Sequence, residues 1–143
     1  MSVLSRNNRN NLTDLGLLIL RVFLGVAMCF GHGLGKWSSL FSGEEIKFAD
    51  PFGIGMLASL ALAVFAEVIC SILLALGLFT RLALLPLIVT MLVAIFSVHI
   101  TDGFGVMEKG LLYGVGYITL LLTGPGKYAL DTFVKRKKVK YKY

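Results

Sequence analysis

A chain of 143 residues that is 57% hydrophobic and only 15% charged, with a mean hydropathy of +0.83, is too apolar for a water-soluble globular domain. A net charge of +6 would suit a nucleic-acid binder, but half of the 14 basic residues lie at or beyond Lys127, and no RNA- or DNA-binding motif occurs. What remains is one small membrane domain with a basic flank facing anionic lipid.

The chain opens on a polar stretch, Met1 to Asn11, that carries Arg6 and Arg9. An apolar segment follows Thr13 and Asp14, either of which can cap a helix, and the predicted first span covers about 12–31. A cleaved signal peptide fits poorly, because Arg21 interrupts the apolar run and no A-x-A site follows. Met28 is likewise too large for the position before a lipoprotein cysteine at Cys29. Residues His32 to Gly55 form the longest predicted loop, with Trp37 and Phe41 as interfacial anchors, and both a lid over the bundle and a plain connection fit it.

The second predicted span, 57–79, is uncharged except for Glu67 near its middle; its 23 residues would be about 34 Å long, enough to cross about 30 Å of hydrocarbon. The turn Gly77-Leu-Phe-Thr-Arg81 leads directly into a third span, 82–100, with Pro86 expected in its first turn or so and His99 at its far end. After the turn-rich TDGFGV, a fourth span of 106–123 is the weakest, with Lys109 snorkelling and Gly124-Pro125-Gly126 ending it. Counting Lys and Arg by side gives 10 with the termini and 3 opposite, so both termini are expected in the cytoplasm. The expectation is an all-α integral membrane four-helix bundle, a single domain over 1–134 with a basic cytoplasmic tail at 135–143.

Charges inside such spans mark sites that chemistry or packing requires. Arg21 and Glu67, each central in its segment, are expected to lie at equal depth and to pair. That pair either fixes which helices are neighbours or lines a cavity for a polar headgroup or a proton step. Arg21, Gly25, Met28, His32 and Lys36 recur at helical spacing and share a face. Above the pair, His32, Lys36, His99, Asp102, Glu108 and Lys109 are expected to form a polar mouth. Their spacing matches no metal motif, so no metal is expected. Cys29 and Cys70 would lie about 16 Å apart in antiparallel helices, too far for a disulfide. Tyr113 and Tyr117, one turn apart, could border a quinone-like ring, although tyrosines packed between helices are commoner. Gly16, Gly25, Ala63, Ala66, Gly114 and Gly116 suit close helix packing. No phosphate loop, nucleophile elbow, haem or iron–sulfur pattern occurs, so any chemistry uses a diffusible cofactor or a partner protein.

Four stretches resemble the DoxX family of small four-span bacterial membrane proteins: LRVFLGVAMCFGHGLGKW, AEVICSILLALGLFTR, His99, and EKGLLYGVGYITLLLTGPGKYALD. The G-L-F-T-R turn and the closing T-G-P-G-K-Y-A-L-D are the most specific. The resemblance implies a multi-pass protein of the bacterial cytoplasmic membrane, from a family named for its similarity to a small subunit of thiosulfate:quinone oxidoreductase. Some members of that family are associated with membrane complexes handling thiol or oxidative stress, and with the charge constellation above this leads to the expectation of a subunit of a membrane redox complex with an outward-opening site for a quinone or a small sulfur compound, a redox partner protein and contact with lipid. The candidate site residues are then Arg21, Glu67, His32, Lys36, His99 and Glu108. The alternative is a noncatalytic membrane protein that binds a partner or transports a small solute; four spans bury little surface, so a homo-oligomer suits either reading. The chain departs from the family pattern at Cys70 and Ser71, where glycines often stand, and at Lys127, where arginine is common.

Overall fold

The computed structural model describes residues 3–134, with side chains from residue 11 onward; the basic tail at 135–143 lies outside the described residues. These residues form an all-helical protein of four long rods. Rod α1 covers 3–41, α-helical over Val3–Met28 and again over Leu34–Phe41, with a π-helical turn at Cys29–Gly33 between them. Rods α2 (Met56–Leu76) and α3 (Thr80–Val98) follow, and α4 is Phe104–Thr123. The first three are long and apolar enough to cross a membrane.

Each helix packs against the next, and α4 returns to α1. Leu24, Met28, Leu74, Leu84, Leu87, Tyr117 and Leu120 fill the shared core. Outward-facing Phe23, Phe30, Leu82, Phe96, Leu112 and Leu122 are 61% to 76% exposed, which suits hydrocarbon and not water. Two glycines set the approach of α1 to α2. A Cβ on Gly25 would lie 2.6 Å from the Ser71 carbonyl oxygen, and one on Gly33 would lie 2.6 Å from that of Glu67.

Several boundaries differ from the sequence expectation, each for a local reason. Rod α1 runs about ten residues past Gly31, because the glycines at 31, 33 and 35 do not break a helix whose periodic face continues through His32 and Lys36. Helix α2 stops at Leu76: Gly77 takes the left-handed conformation (φ 70°), and the Leu78 N–H donates to the Leu73 carbonyl in a Schellman closure. Because α3 starts at Thr80, Pro86 lies nearly two turns inside it and not in its first turn.

Two ends can be distinguished. The loop end carries residues 42–55 and the α3–α4 turn. The clasp end carries the Gly77–Phe79 turn and the segment after Gly124.

Candidate functional site

The expected Arg21–Glu67 pair does not form, because the two side chains lie at different depths. With α1 extending to Phe41, its midpoint moves outward from Arg21, and Gly33 faces Glu67 instead. Arg21 lies beside Leu74, seven residues and about 10 Å along α2 from Glu67. Its Nη1 donates to the Leu74 carbonyl at 3.4 Å and its Nη2 to the Tyr128 carbonyl at 3.3 Å, while Nε has no partner among the described residues.

Around Arg21 the two most specific sequence motifs close into a clasp. The Asp131 carboxylate accepts from the Phe79 and Thr80 backbone N–H groups at 2.8 and 2.9 Å and from the Thr80 hydroxyl at 2.9 Å. It thus satisfies donors at the start of α3 that the helix itself leaves open. In return the Asp131 N–H donates to the Gly77 carbonyl at 2.9 Å. Asp14 accepts from the Lys127 N–H at 2.9 Å, and the Lys127 ammonium reaches Asn11, which ties α1 to the same segment.

Glu67 is only 4% exposed, and its Oε2 accepts from the Lys36 ammonium at 2.6 Å. The sequence places Lys36 in a loop above the helix. In the structure it stands on α1, one turn beyond Gly33, so its long side chain reaches back to the carboxylate. Glu67 sits in a π-helical turn, Phe65–Cys70, and His32 sits in the π-helical turn of α1 that packs against it. A third such turn, Ala94–Val98, ends beside His99. Each wide turn inserts a residue into its helix and re-aims the side chains there, a device common at functional sites.

The pair lies in the wall of a cavity of about 360 Å³, between α2 and α3 and beneath residues 48–52 of the long loop. Its polar groups are Lys36, Glu67, Ser59, Thr90 and His99; the rest of the lining is apolar, with Pro86 at the far end. His99 Nδ1 is 2.7 Å from Asp102 Oδ2 at the loop end. Asp50 holds the loop in place. Its Oδ1 accepts from the Ile54 N–H at 3.1 Å and the Ser59 hydroxyl at 2.7 Å, and its Oδ2 from the Gly55 N–H at 2.8 Å. Those hydrogen bonds, the Ser59 hydroxyl foremost, hold its carboxyl below the ordinary carboxylate range.

The remaining candidates separate. His32 lies outside the cavity lining, edge-on to Tyr113 with ring centroids 5.7 Å apart. Tyr113 lies 5.9 Å from Tyr117, whose ring is fully buried and whose hydroxyl has no partner among the described residues. Glu108 is exposed on the first turns of α4 and joins neither cluster. Among the described residues no three His, Cys, Asp or Glu side chains converge on a metal position. Cys29 and Cys70 are buried free thiols in separate apolar clusters. Sequence reasoning missed Asp50, Ser59, Thr90 and Asp131. For Asp131 the signal was present, since it closes the specific T-G-P-G-K-Y-A-L-D motif.

An all-helical bundle with a lipid-compatible surface and three helices long and apolar enough to cross a bilayer defines a membrane protein. The chain belongs to the DoxX family, whose family model matches residues 16–100. It is 34% identical over 131 residues to an uncharacterised protein of Haemophilus influenzae, covering 87% of this chain and 86% of that one. It is also 34% identical over 132 residues to a Bacillus subtilis protein named "Putative oxidoreductase CatD", covering 90% and 94%. No solved structure matches the chain.

Proposed function

We propose that this DoxX-family protein is a subunit of a redox complex in the bacterial cytoplasmic membrane and that the Lys36–Glu67 cavity receives a quinone or small sulfur compound. The observation that carries the reading is a carboxylate 4% exposed, in a π-helical turn, beside a largely apolar cavity of about 360 Å³. The similarity to a relative named as an oxidoreductase points the same way. In this reading all four rods span, the clasp end and both termini are cytoplasmic, and the cavity lies toward the outer leaflet.

The residues present suit a quinone, because the apolar walls accept a ring and one edge offers a donor and an acceptor together. A bound quinone supplies a two-electron acceptor, with electrons delivered by the partner protein. Lys36 would hold the ring head as a hydrogen-bond donor and would stabilise negative charge there. Glu67 would offer the acceptor beside it, and His99, hydrogen-bonded to Asp102 at 2.7 Å, would be the group through which a proton reaches the cavity from the loop end. Arg21 and Glu108 leave the functional set. Arg21 holds the clasp, and Glu108 stands apart from the cavity.

A noncatalytic binding role shares the same cavity and is favoured by one observation, the use of both terminal nitrogens of Arg21 as ties to backbone carbonyls. The two readings part in native mass spectrometry of protein extracted gently from its own membrane. A stoichiometric quinone or a copurifying redox enzyme supports the redox reading. Phospholipid alone, with no partner protein, sinks it in favour of the noncatalytic one.

A further inference from the structure

The loop between α1 and α2 is held unevenly along its length. In its first half, Ile46 and Phe48 pack against Leu60, Val64 and Val68 of α2. The turn that follows, residues 49–55, is neither helix nor strand, and its Ala49, Pro51 and Phe52 wall the loop end of the cavity. Little apolar surface is buried in doing so, since Phe52 is 62% and Ile54 50% exposed. Gly53 and Gly55 take positive φ (66° and 99°), and a Cβ on either would meet nothing within 4 Å, so no neighbour braces the backbone there. Hydrogen bonding converges on one carboxylate. Asp50 accepts from the Ile54 and Gly55 N–H groups of its own turn and, at 2.7 Å, from the Ser59 hydroxyl. Among the described residues, Ser59 is the one side chain of α2 that hydrogen-bonds to the turn. A segment with few buried apolar contacts and one such tie opens locally at lower cost than the helices beside it.

We propose that residues 49–55 are a flap, hinged between Phe48 and Met56 and latched by Ser59 to Asp50, that gates the water-side entrance to the cavity. The other side of the cavity is closed to charged solutes. Its rim residues Leu62, Phe65 and Val89 are 56%, 48% and 52% exposed on the outer surfaces of helices fit to span a membrane, so that rim meets hydrocarbon. At the loop end α2 begins and α3 finishes, and the flap stands where the seam between them reaches water. Ser59 and His99 lie directly beneath it, while Glu67 is eight residues and about 12 Å deeper along α2. Opening the flap joins His99 and the Lys36–Glu67 pair to water, and closing it separates them. The gate concerns access alone. It holds whichever ligand the cavity takes, so it stands or falls independently of the quinone reading.

The test is the rate at which a permanently charged thiol reagent, a quaternary-ammonium methanethiosulfonate, modifies cysteines placed in the cavity of the full-length protein in nanodiscs. Thr90→Cys and Ala63→Cys are the two reporters, both in the cavity wall. The parent's own thiols, Cys29 and Cys70, are buried and set the background. Asp102→Cys, at an exposed loop-end position, sets the rate of free access. Ser59→Ala removes the latch hydroxyl alone, and Asp50→Ala removes every hydrogen bond of the carboxylate. Both reporters should react far more slowly than Asp102→Cys while the latch is intact. Either latch variant should speed them by at least about tenfold, the loss of a hydrogen bond to a charged group raising the open population by that much. The Asp102→Cys rate should stay within about twofold of its value with the latch intact. Reporter rates unchanged by both latch variants would overturn the gate. So would reporters that react as fast as Asp102→Cys with the latch intact, because the path would then be open without the flap. Equal acceleration of Cys29 and Cys70 in the latch variants would also overturn it, assigning the effect to loosening of the whole bundle.

Discussion

Arg21 and Gly77 are in contact so close that a Cβ on Gly77 would lie 1.7 Å from the guanidinium Nη1. Gly77 also holds φ at 70°, where an L side chain is strained. Two independent penalties therefore attend Gly77→Ala, and together they should cost at least about 3 kcal/mol. In an Arg21→Ala background the clash with the guanidinium is gone while the Ala129 methyl still lies 2.7 Å from the added Cβ, and the same substitution should cost about 1 kcal/mol less than in the parent. Thermal unfolding of the four proteins in one detergent checks this. Equal costs in both backgrounds would mean that the contact has no energetic consequence.

Lys36 and Glu67 form the second coupled pair, with side chains 27% and 5% exposed. Lys36→Met leaves a nearly buried carboxylate without its cation and should cost about 3 kcal/mol. The double variant Lys36→Met/Glu67→Leu removes both charges and should return stability to within about 1 kcal/mol of the parent. It should not recover quinone binding or any activity that depends on the cavity. Recovery of binding along with stability would show that the pair serves only to join the helices.

The helices were legible because apolar length is a direct physical requirement of the bilayer, and 57–79 and 82–100 predict α2 and α3 to within three residues at each end. The depth of the charges was less legible. It depends on where α1 ends, which the apolar run placed near residue 31, although the spacing of Met28, His32 and Lys36 already continued the helical face. That one boundary decided whether Glu67 paired with Arg21 or with Lys36. The π-helical turns left no pattern in the sequence, since they arise from how the packed helices accommodate an inserted residue. Partners across long separations, such as Thr80 and Asp131, were visible only as two specific motifs whose meeting nothing local could announce.

Asp131 supplies from a distant segment the cap that α3 lacks, and Phe79 holds a left-handed φ of 48° within that arrangement. Asp131→Ala should cost about 1 to 2 kcal/mol, as other lost helix caps do, while Asp131→Asn keeps one acceptor and should cost about half as much. Hydrogen exchange localises the effect: the amides of Phe79 and Thr80 should lose protection while Glu67 and its neighbours keep theirs. Uniform loss along α2 and α3 would instead show that the clasp stabilises the whole bundle and does more than cap one helix.

Asp50 makes the loop over the cavity sensitive to acid in a defined direction. Its carboxyl is held below the ordinary value by hydrogen bonds from Ser59, Gly55 and Ile54. A carboxyl depressed in the folded state contributes stability that is fully present above its unfolded pKa of about 3.9 and is lost as pH falls through its lower folded value. The loop should therefore stay anchored through neutral and mildly acidic conditions and loosen only below about pH 4. Hydrogen exchange of Ile54 and Gly55, corrected for the intrinsic effect of pH, should show protection falling in that window. Asp50→Asn should remove the pH dependence and lower protection at neutral pH. Persistence of the transition in Asp50→Asn would assign it to another acid, with Asp102 beside His99 the next to replace.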